Sequence, residues 1–147
     1  MSKYSELKRR IKKNEGFRNF VYKDSLGFAT IGYGHLIKTK EKLLFKKKLS
    51  RKFLLKIFYE DFNKALKDYN MAYKKKNYPK NIREALIEMI YQLGIERQKK
   101  FIKMIKYINK NNLFMAALEM KNSLWYIQTP ERVDGIINIL LKQKNEK

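Results

Sequence analysis

The sequence contains no cysteine, a single histidine, two prolines and six glycines among its 147 residues. Without cysteine the chain cannot form disulfides, and zinc sites with thiolate ligands are excluded. A single histidine also excludes metal centres that need several imidazole ligands. Hydrolases of the Ser-His-Asp type could use only His35 as their base.

Long apolar runs are also missing from the sequence. No stretch approaches the roughly 20 apolar residues that span a bilayer. The basic N-terminus is not followed by the apolar segment of a signal peptide. We therefore expect a protein without a transmembrane segment or a signal peptide, made in the cytoplasm of its cell.

Acidic residues are scarce, at 14 against 35 basic ones, which gives a formal net charge of +21. Such a charge attracts polyanions. Of the basic residues 28 are lysine and 7 are arginine, whereas base and phosphate recognition in a fixed geometry depends largely on the planar group of arginine. A basic helical nucleic-acid-binding module remains an alternative interpretation, and so does a non-catalytic, membrane-active basic protein.

Glycine is concentrated near the N-terminus, where four of the six lie between Gly16 and Gly34. In this region Phe17–Lys23 and Phe28–His35 have the pattern of short strands joined by a turn. Most of the remaining chain has helical periodicity. A weak, very basic helix is predicted around 41–48, and Ser50 is expected to cap the stronger helix that follows.

These patterns predict an α+β fold, mostly helical, in a single domain over residues 1–147. We expect a β-containing lobe at about 14–50, a long linking helix at about 51–73 and a helical lobe at about 74–147. The N-terminal helix, at about 3–14, is expected to pack on the helical lobe.

Glu15 stands where a carboxylate is unfavourable. It falls in the last turn of the first predicted helix, where the negative end of the helix dipole costs a carboxylate roughly 0.3–1 kcal/mol. It also continues the face formed by Tyr4, Leu7 and Ile11, so its side chain should point toward the protein. Partial burial and the helix end both favour the protonated form that a general acid needs.

Asp24 and Thr30 follow Glu15 with eight and then five residues between them. This spacing, together with its neighbouring segments, resembles the catalytic pattern of the phage-type lysozymes, the endolysin muramidases. The segments that carry the resemblance are Asn14-Glu15-Gly16-Phe17, Tyr22-Lys23-Asp24, Thr30-Ile31-Gly32-Tyr33-Gly34-His35, Tyr91-Gln92-Leu93-Gly94 and the stretch from Trp125 to Arg132.

The resemblance implies a lysozyme-like fold of two lobes and a catalytic role for each of three residues. Glu15 is implied to be the general acid, Asp24 the second carboxylate, and Thr30 a residue that helps to hold the attacking water. The implied reaction is inverting hydrolysis of the β-1,4 bond between N-acetylmuramic acid and N-acetylglucosamine. It requires no metal ion and no cofactor.

The resemblance also assigns supporting and substrate-binding positions. His35 is implied to pair with Asp61 on the long helix, and Arg132 to lie near the catalytic Glu. Sugar contacts are implied at Leu36, Tyr91, Gln92, Met104 and Glu119. Of these, Met104 and Glu119 depart from the small polar residues that are frequent in the family.

The partner implied by the resemblance is bacterial peptidoglycan, a polyanionic wall, and the enzyme is expected to act as a monomer without nucleic acid. An enzyme without a signal peptide would wait in the host cytoplasm. It would reach the wall for host cell lysis after a holin opens the membrane, without direct contact with that holin.

Overall fold

The computed structural model describes residues 3–41 and 48–142, which form helices and one small three-stranded antiparallel sheet near the N-terminus. This mostly helical α+β class is the one predicted from the sequence. The chain divides into two compact units, Met1–Lys64 and Ala65–Lys147. In the described part of the chain, no helix combines the length and the apolar character that crossing a membrane requires.

The first unit begins with helix α1, Ser5–Glu15. Its apolar residues recur at helical spacing, so that Leu7 and Ile11 are both fully buried. The helix ends at Gly16, whose φ is +72° and whose N–H donates to the carbonyl of Lys12. Glycine adopts this left-handed conformation without steric cost, which explains why the helix stops there, as predicted.

The sheet consists of β1 (Arg18–Lys23), β2 (Ala29–Gly32) and β3 (His35–Leu36), in that order. The prediction of one continuous strand over Phe28–His35 is wrong, because a turn at Tyr33 and Gly34 divides it into two strands. Gly32 and Gly34 have φ values of +66° and +78°. Two glycines in this conformation reverse the chain where alternating apolar residues alone had suggested a longer strand.

The pairing of β1 with β2 is irregular. Arg18 pairs with Gly32, whereas Tyr22 pairs with Thr30, and the register shifts between these two pairs. The strand β1 therefore advances four residues while β2 advances two. Residues 19–21 form a bulge, a feature that bends a strand and redirects its side chains.

Helix α2, Arg51–Ala72, matches the predicted linking helix closely. Ser50 caps its start, because the N–H of Phe53 donates to Ser50 Oγ at 3.1 Å. Of the weak helix predicted around 41–48, residues 42–47 lie outside the described part of the chain. Just before them, Thr39–Glu41 forms a short 3-10 helix.

The sheet packs on α2 through Ile31, which is fully buried in a cluster with Leu54 and Ile57. Ile31 pairs with His35 across β2 and β3, and directly paired residues share one face of a sheet. The face that carries Ile31 and His35 is therefore the one toward α2.

The second unit is helical. After the end of α2, the helices are α3 (Lys80–Leu93), α4 (Ile95–Gln98), α5 (Ile102–Asn109), α6 (Leu113–Lys121), α7 (Leu124–Gln128) and α8 (Pro130–Leu140). Helix α3 is the most deeply buried of them, and it packs against α8. The short helices α4 and α7 have too few residues for periodicity to reveal them in the sequence.

Candidate active site

Glu15 is the last residue of α1, and its side chain is half-buried. Lys12 and Lys13 lie in the same last turn. Their positive charges offset the negative end of the helix dipole, which the sequence argument had counted against a carboxylate here. The helix end can therefore carry an acidic side chain at a lower cost than its position alone suggests.

The carboxyl group of Glu15 lies directly against Gly34 in the turn between β2 and β3. A Cβ atom at position 34 would collide with Glu15 Oε1 and would lie 2.8 Å from Glu15 Cδ. The positive φ of the turn favours glycine here, and any side chain at this position would have to displace the Glu15 carboxyl group. The turn thus limits where the Glu15 carboxyl group can lie.

Asp24 is fixed in the turn between β1 and β2. Its Oδ1 accepts hydrogen bonds from the N–H groups of Leu26 and Phe28, both at 2.9 Å. The Asp24 carbonyl also accepts a bond from the N–H of Gly27 at 2.9 Å. Asp24 Oδ2 takes no hydrogen bond from the residues that the structure describes, so it is the oxygen available to a further donor.

Thr30 is only 2% exposed, and its hydroxyl donates to the carbonyl of Phe28 at 2.8 Å. The same carbonyl accepts a bond from the N–H of Asp24 at 2.9 Å. Because a hydroxyl carries one hydrogen, Thr30 Oγ1 can interact with a further polar group only as an acceptor. Phe28 therefore joins Asp24 and Thr30 through its own backbone.

Thr30 is the middle of a row of three side chains that crosses the sheet. It pairs with Tyr22 on β1 and with Leu36 on β3. Directly paired residues share a face, and this is the face opposite to the one that carries Ile31. We call Tyr22, Thr30 and Leu36 the three-strand row. Leu36 is 51% exposed at its outer end.

Tyr22 lies within electrostatic reach of both candidate catalytic carboxyl groups. Burial raises the pKa of its phenol, the charges of Glu15 and Asp24 raise that pKa further, and Arg18 opposes them. Tyr22 is thus paired with Thr30 on the sheet, and the charges of Glu15 and Asp24 both act on its phenol. Tyr22 belongs to a segment of the sequence resemblance, but no role was predicted for it.

His35 lies between two carboxylates. Its Nδ1 is 2.8 Å from Asp61 Oδ2, the contact predicted from the sequence, and its Nε2 is 3.1 Å from Glu41 Oε1. Burial alone would lower the pKa of His35, but the hydrogen bonds and charges of Asp61 and Glu41 together outweigh it and raise that pKa above its ordinary value. The imidazole therefore joins β3 to α2 and to the 3-10 helix.

Glu41 was not identified in the sequence analysis. Burial would raise its pKa, but the hydrogen bond from the N–H of Lys38 and the contact with His35 reverse the direction and lower it. Only the 3-10 helix brings Glu41 back toward His35, and no sequence pattern indicated that helix. Within the described ranges, no group of three or more His, Cys, Asp or Glu side chains is arranged to hold a metal ion.

Arg132 lies in the second unit, where its Nε donates to Glu88 Oε2 at 3.0 Å. Glu88, on α3, is 1% exposed. Removing one partner of such a buried ion pair leaves an uncompensated charge, so the two residues depend on each other. Glu88 was not singled out in the sequence, because it lies off the apolar stripe of its helix, where a charged residue is expected to face solvent. The expected position of Arg132 near Glu15 stays a prediction.

The other implied sugar-binding residues also lie in the second unit. Gln92 Nε2 donates to Thr129 Oγ1 at 3.2 Å, and Tyr91 and Glu119 are half-buried. Met104 is 1% exposed. Its side chain belongs to the core of the second unit, and the sugar contact implied at this position stays a prediction.

Comparison with known proteins gives the same family as the sequence pattern. The phage lysozyme family, described by its sequence profile, matches residues 12–145. A Dictyostelium discoideum protein named "Probable T4-type lysozyme 1" is 31% identical over 159 aligned residues, which cover 92% of this chain and 94% of that protein. "Probable T4-type lysozyme 2" of the same organism is 32% identical, with coverage of 92% and 93%.

Proposed function

Because the chain belongs to the phage lysozyme family and is an enzyme of the lysozyme class, we propose that it cleaves the β-1,4 bond between N-acetylmuramic acid and N-acetylglucosamine with inversion. The observation that carries this proposal is that Glu15 against Gly34, Asp24 in the turn between β1 and β2, and Thr30 on β2 all lie at the small sheet of one unit. The family supplies the substrate class, peptidoglycan, and the arrangement supplies the chemical roles.

Glu15 acts as the general acid and gives its proton to the oxygen of the leaving sugar. Its half-buried position and its contact with Gly34 support this role, because a proton donor must be held at a fixed place beside the bond that breaks. Asp24, in its ionised form, stabilises the positive charge that develops on the other sugar.

Asp24 and Thr30 together orient the attacking water. Asp24 Oδ2 accepts no hydrogen bond from the described residues, and Thr30 Oγ1 can only accept, because the Phe28 carbonyl takes its hydrogen. A water between two acceptors donates both of its hydrogens, so its lone pairs are directed toward the sugar carbon.

Leu36, at the exposed end of the three-strand row, contacts the bound sugar, and Tyr91, Gln92 and Glu119 are the further proposed sugar contacts.

The net charge of +21 supports a polyanionic wall as the partner of the enzyme. We place its action in host cell lysis, where the enzyme waits in the cytoplasm as a monomer and reaches peptidoglycan after a holin has opened the membrane. His35, Asp61 and Arg132 support the site without touching the reacting atoms.

The proposal is tested by the release of soluble fragments from purified peptidoglycan by Glu15→Gln. This variant keeps the shape of the side chain but has no proton to give, and we expect turnover to fall by at least about a hundredfold. The matched control is Glu6→Gln on the same helix, where Glu6 lies 3.9 Å from Arg9 at an exposed position; this variant should keep wild-type turnover.

Two outcomes would contradict the proposal. If Glu15→Gln releases fragments as fast as the wild type, Glu15 is not the acid. If that variant is inactive on purified peptidoglycan but still lyses cells, the membrane-active alternative explains the lysis. Thermal unfolding of both variants should show that the folded state is retained.

A further inference from the structure

Arg18 lies over the ring of Tyr22, with its guanidinium carbon 4.7 Å from the ring centroid. Residues four positions apart on a regular strand are separated by about 13 Å, at roughly 3.3 Å per residue. The bulge between Arg18 and Tyr22 allows the arginine to reach back, and Gly32, its partner on β2, has no side chain to obstruct it. The bulge thus directs a guanidinium group toward the three-strand row.

Arg18 has an exposed side chain whose charge is not neutralised by a neighbour that the structure describes. Within residues 3–41 and 48–142, no carboxylate lies at ion-pair distance from it. Contact with the aromatic face holds the guanidinium in place, and an arginine that is already ordered loses less rotational freedom when it binds. The stacking on Tyr22 orders the guanidinium without neutralising its charge, so the group stays available to an anionic ligand.

We propose that Arg18, held on the ring of Tyr22, forms a subsite for a carboxylate of the peptide stems that peptidoglycan carries on its sugars. This inference rests on the proposed function. The planar guanidinium forms paired hydrogen bonds with a carboxylate, which a lysine cannot do in the same geometry. Because Tyr22 is paired with Thr30, the bound carboxylate would lie beside the sugar at which cleavage occurs.

The test compares soluble glycan strands that carry native peptide stems with the same strands after their carboxyl groups have been converted to neutral methylamides. For the wild type we expect KM to rise about fivefold on the neutral strands, as for the loss of one exposed charged pair, with kcat unchanged. Arg18→Gln should have the raised KM already on native strands, and it should show no further rise on the neutral ones.

The matched control is Arg51→Gln, which removes the same charge from the same unit. Arg51 is also stacked on an aromatic ring, with its guanidinium carbon 4.0 Å from the centroid of Phe17. This variant should keep the full wild-type response to neutral strands, and thermal unfolding should show that both variants are folded.

The subsite is rejected if Arg18→Gln keeps the wild-type rise in KM on neutral strands. It is also rejected if Arg51→Gln loses that rise to the same extent, because the response would then depend on net charge. If the wild-type enzyme cleaves neither the native nor the neutral strands, the proposed function itself is contradicted. That result is distinct from the two KM results that reject only the subsite.

Discussion

The side chain of Glu15 occupies the space that a side chain at Gly34 would need. Replacing Gly34 by Ala therefore has to displace the carboxyl group of the proposed general acid. We expect Gly34→Ala to lower turnover on purified peptidoglycan by about a hundredfold, the size of effect that an error of about 1 Å in placement can produce. The strained φ should also lower the free energy of unfolding by about 1–2 kcal/mol.

The control for this prediction is Gly94→Ala, since Gly94 has a similar φ of +82° but no atom within 4 Å of the added Cβ. Both variants should lose similar stability in denaturant unfolding, whereas only Gly34→Ala should lose activity. Equal loss of turnover in the two variants would mean that the contact with Glu15 has no catalytic importance.

The Thr30 hydroxyl provides a second prediction. Thr30→Ser keeps the bond to the Phe28 carbonyl and the acceptor for water, so it should retain most of its turnover. Thr30→Val has nearly the same shape without the hydroxyl, and we expect its turnover to fall by about a hundredfold. It should also lose about 1 kcal/mol of stability, because the carbonyl loses a donor. A Val variant with wild-type kinetics would remove Thr30 from the mechanism.

The fold was largely predictable because its signals are local. Leu7 and Ile11 marked the buried face of α1, Gly16 marked its end, and Ser50 marked the start of α2. The bulge in β1 was not predictable, because it depends on the pairing of two strands and no residue in it is diagnostic.

The candidate site was predictable only in part, because some of its contacts depend on how the chain folds and leave no pattern in the sequence. The sequence pattern gave the positions of the proposed catalytic residues, and it gave the contact of His35 with Asp61. It could not give Glu41 as the second partner of His35, since a short 3-10 helix brings that contact about. Nor could it show that Met104 is buried, because a methionine at helical spacing fits a core and a cleft equally well.

The stability of the first unit should depend on pH through His35, the only histidine in the chain. Its folded pKa is raised above 6.5, so its contribution is complete below that value and is lost as pH rises through the folded pKa. The folded pKa of Glu41 is lowered from 4.5, so its contribution is complete above that value and is lost as pH falls through the folded pKa. The contributions of His35 and Glu41 to stability are therefore both fully present between pH 4.5 and pH 6.5.

We accordingly expect His35→Asn to lower Tm by about 2–4 °C at about pH 5.5, the shift that roughly 1 kcal/mol produces in a domain of this size. The difference from the wild type should shrink as the pH is raised further and passes through the raised folded pKa of His35. A difference in Tm that stays the same across such a pH series would show that the charge of His35 does not stabilise the fold.

Salt should weaken activity on intact walls more than activity on short soluble glycan fragments. The long-range attraction between the +21 charge and a polyanionic wall is screened as the Debye length falls to about 10 Å at 0.1 M salt. Initial rates on both substrates across a salt series measure the difference. The same salt dependence on both would mean that the net charge does not recruit the enzyme to the wall.

Hydrolysis should invert the anomeric centre. Asp24 Oδ1 is engaged by two backbone N–H groups at 2.9 Å, which fixes the carboxylate in its turn, and Thr30 Oγ1 can only accept. Two fixed acceptors suit a water that donates both hydrogens, whereas a hydroxyl acceptor has no role when a carboxylate attacks directly. Attack by water requires catalytic carboxyl groups about 6.5–9.5 Å apart, against about 5–5.5 Å for a carboxylate nucleophile. The β-linked substrate should therefore release an α reducing end first, which proton NMR detects before mutarotation. If the β anomer forms first, Asp24 is the nucleophile, and the water-holding role of Thr30 has to be abandoned.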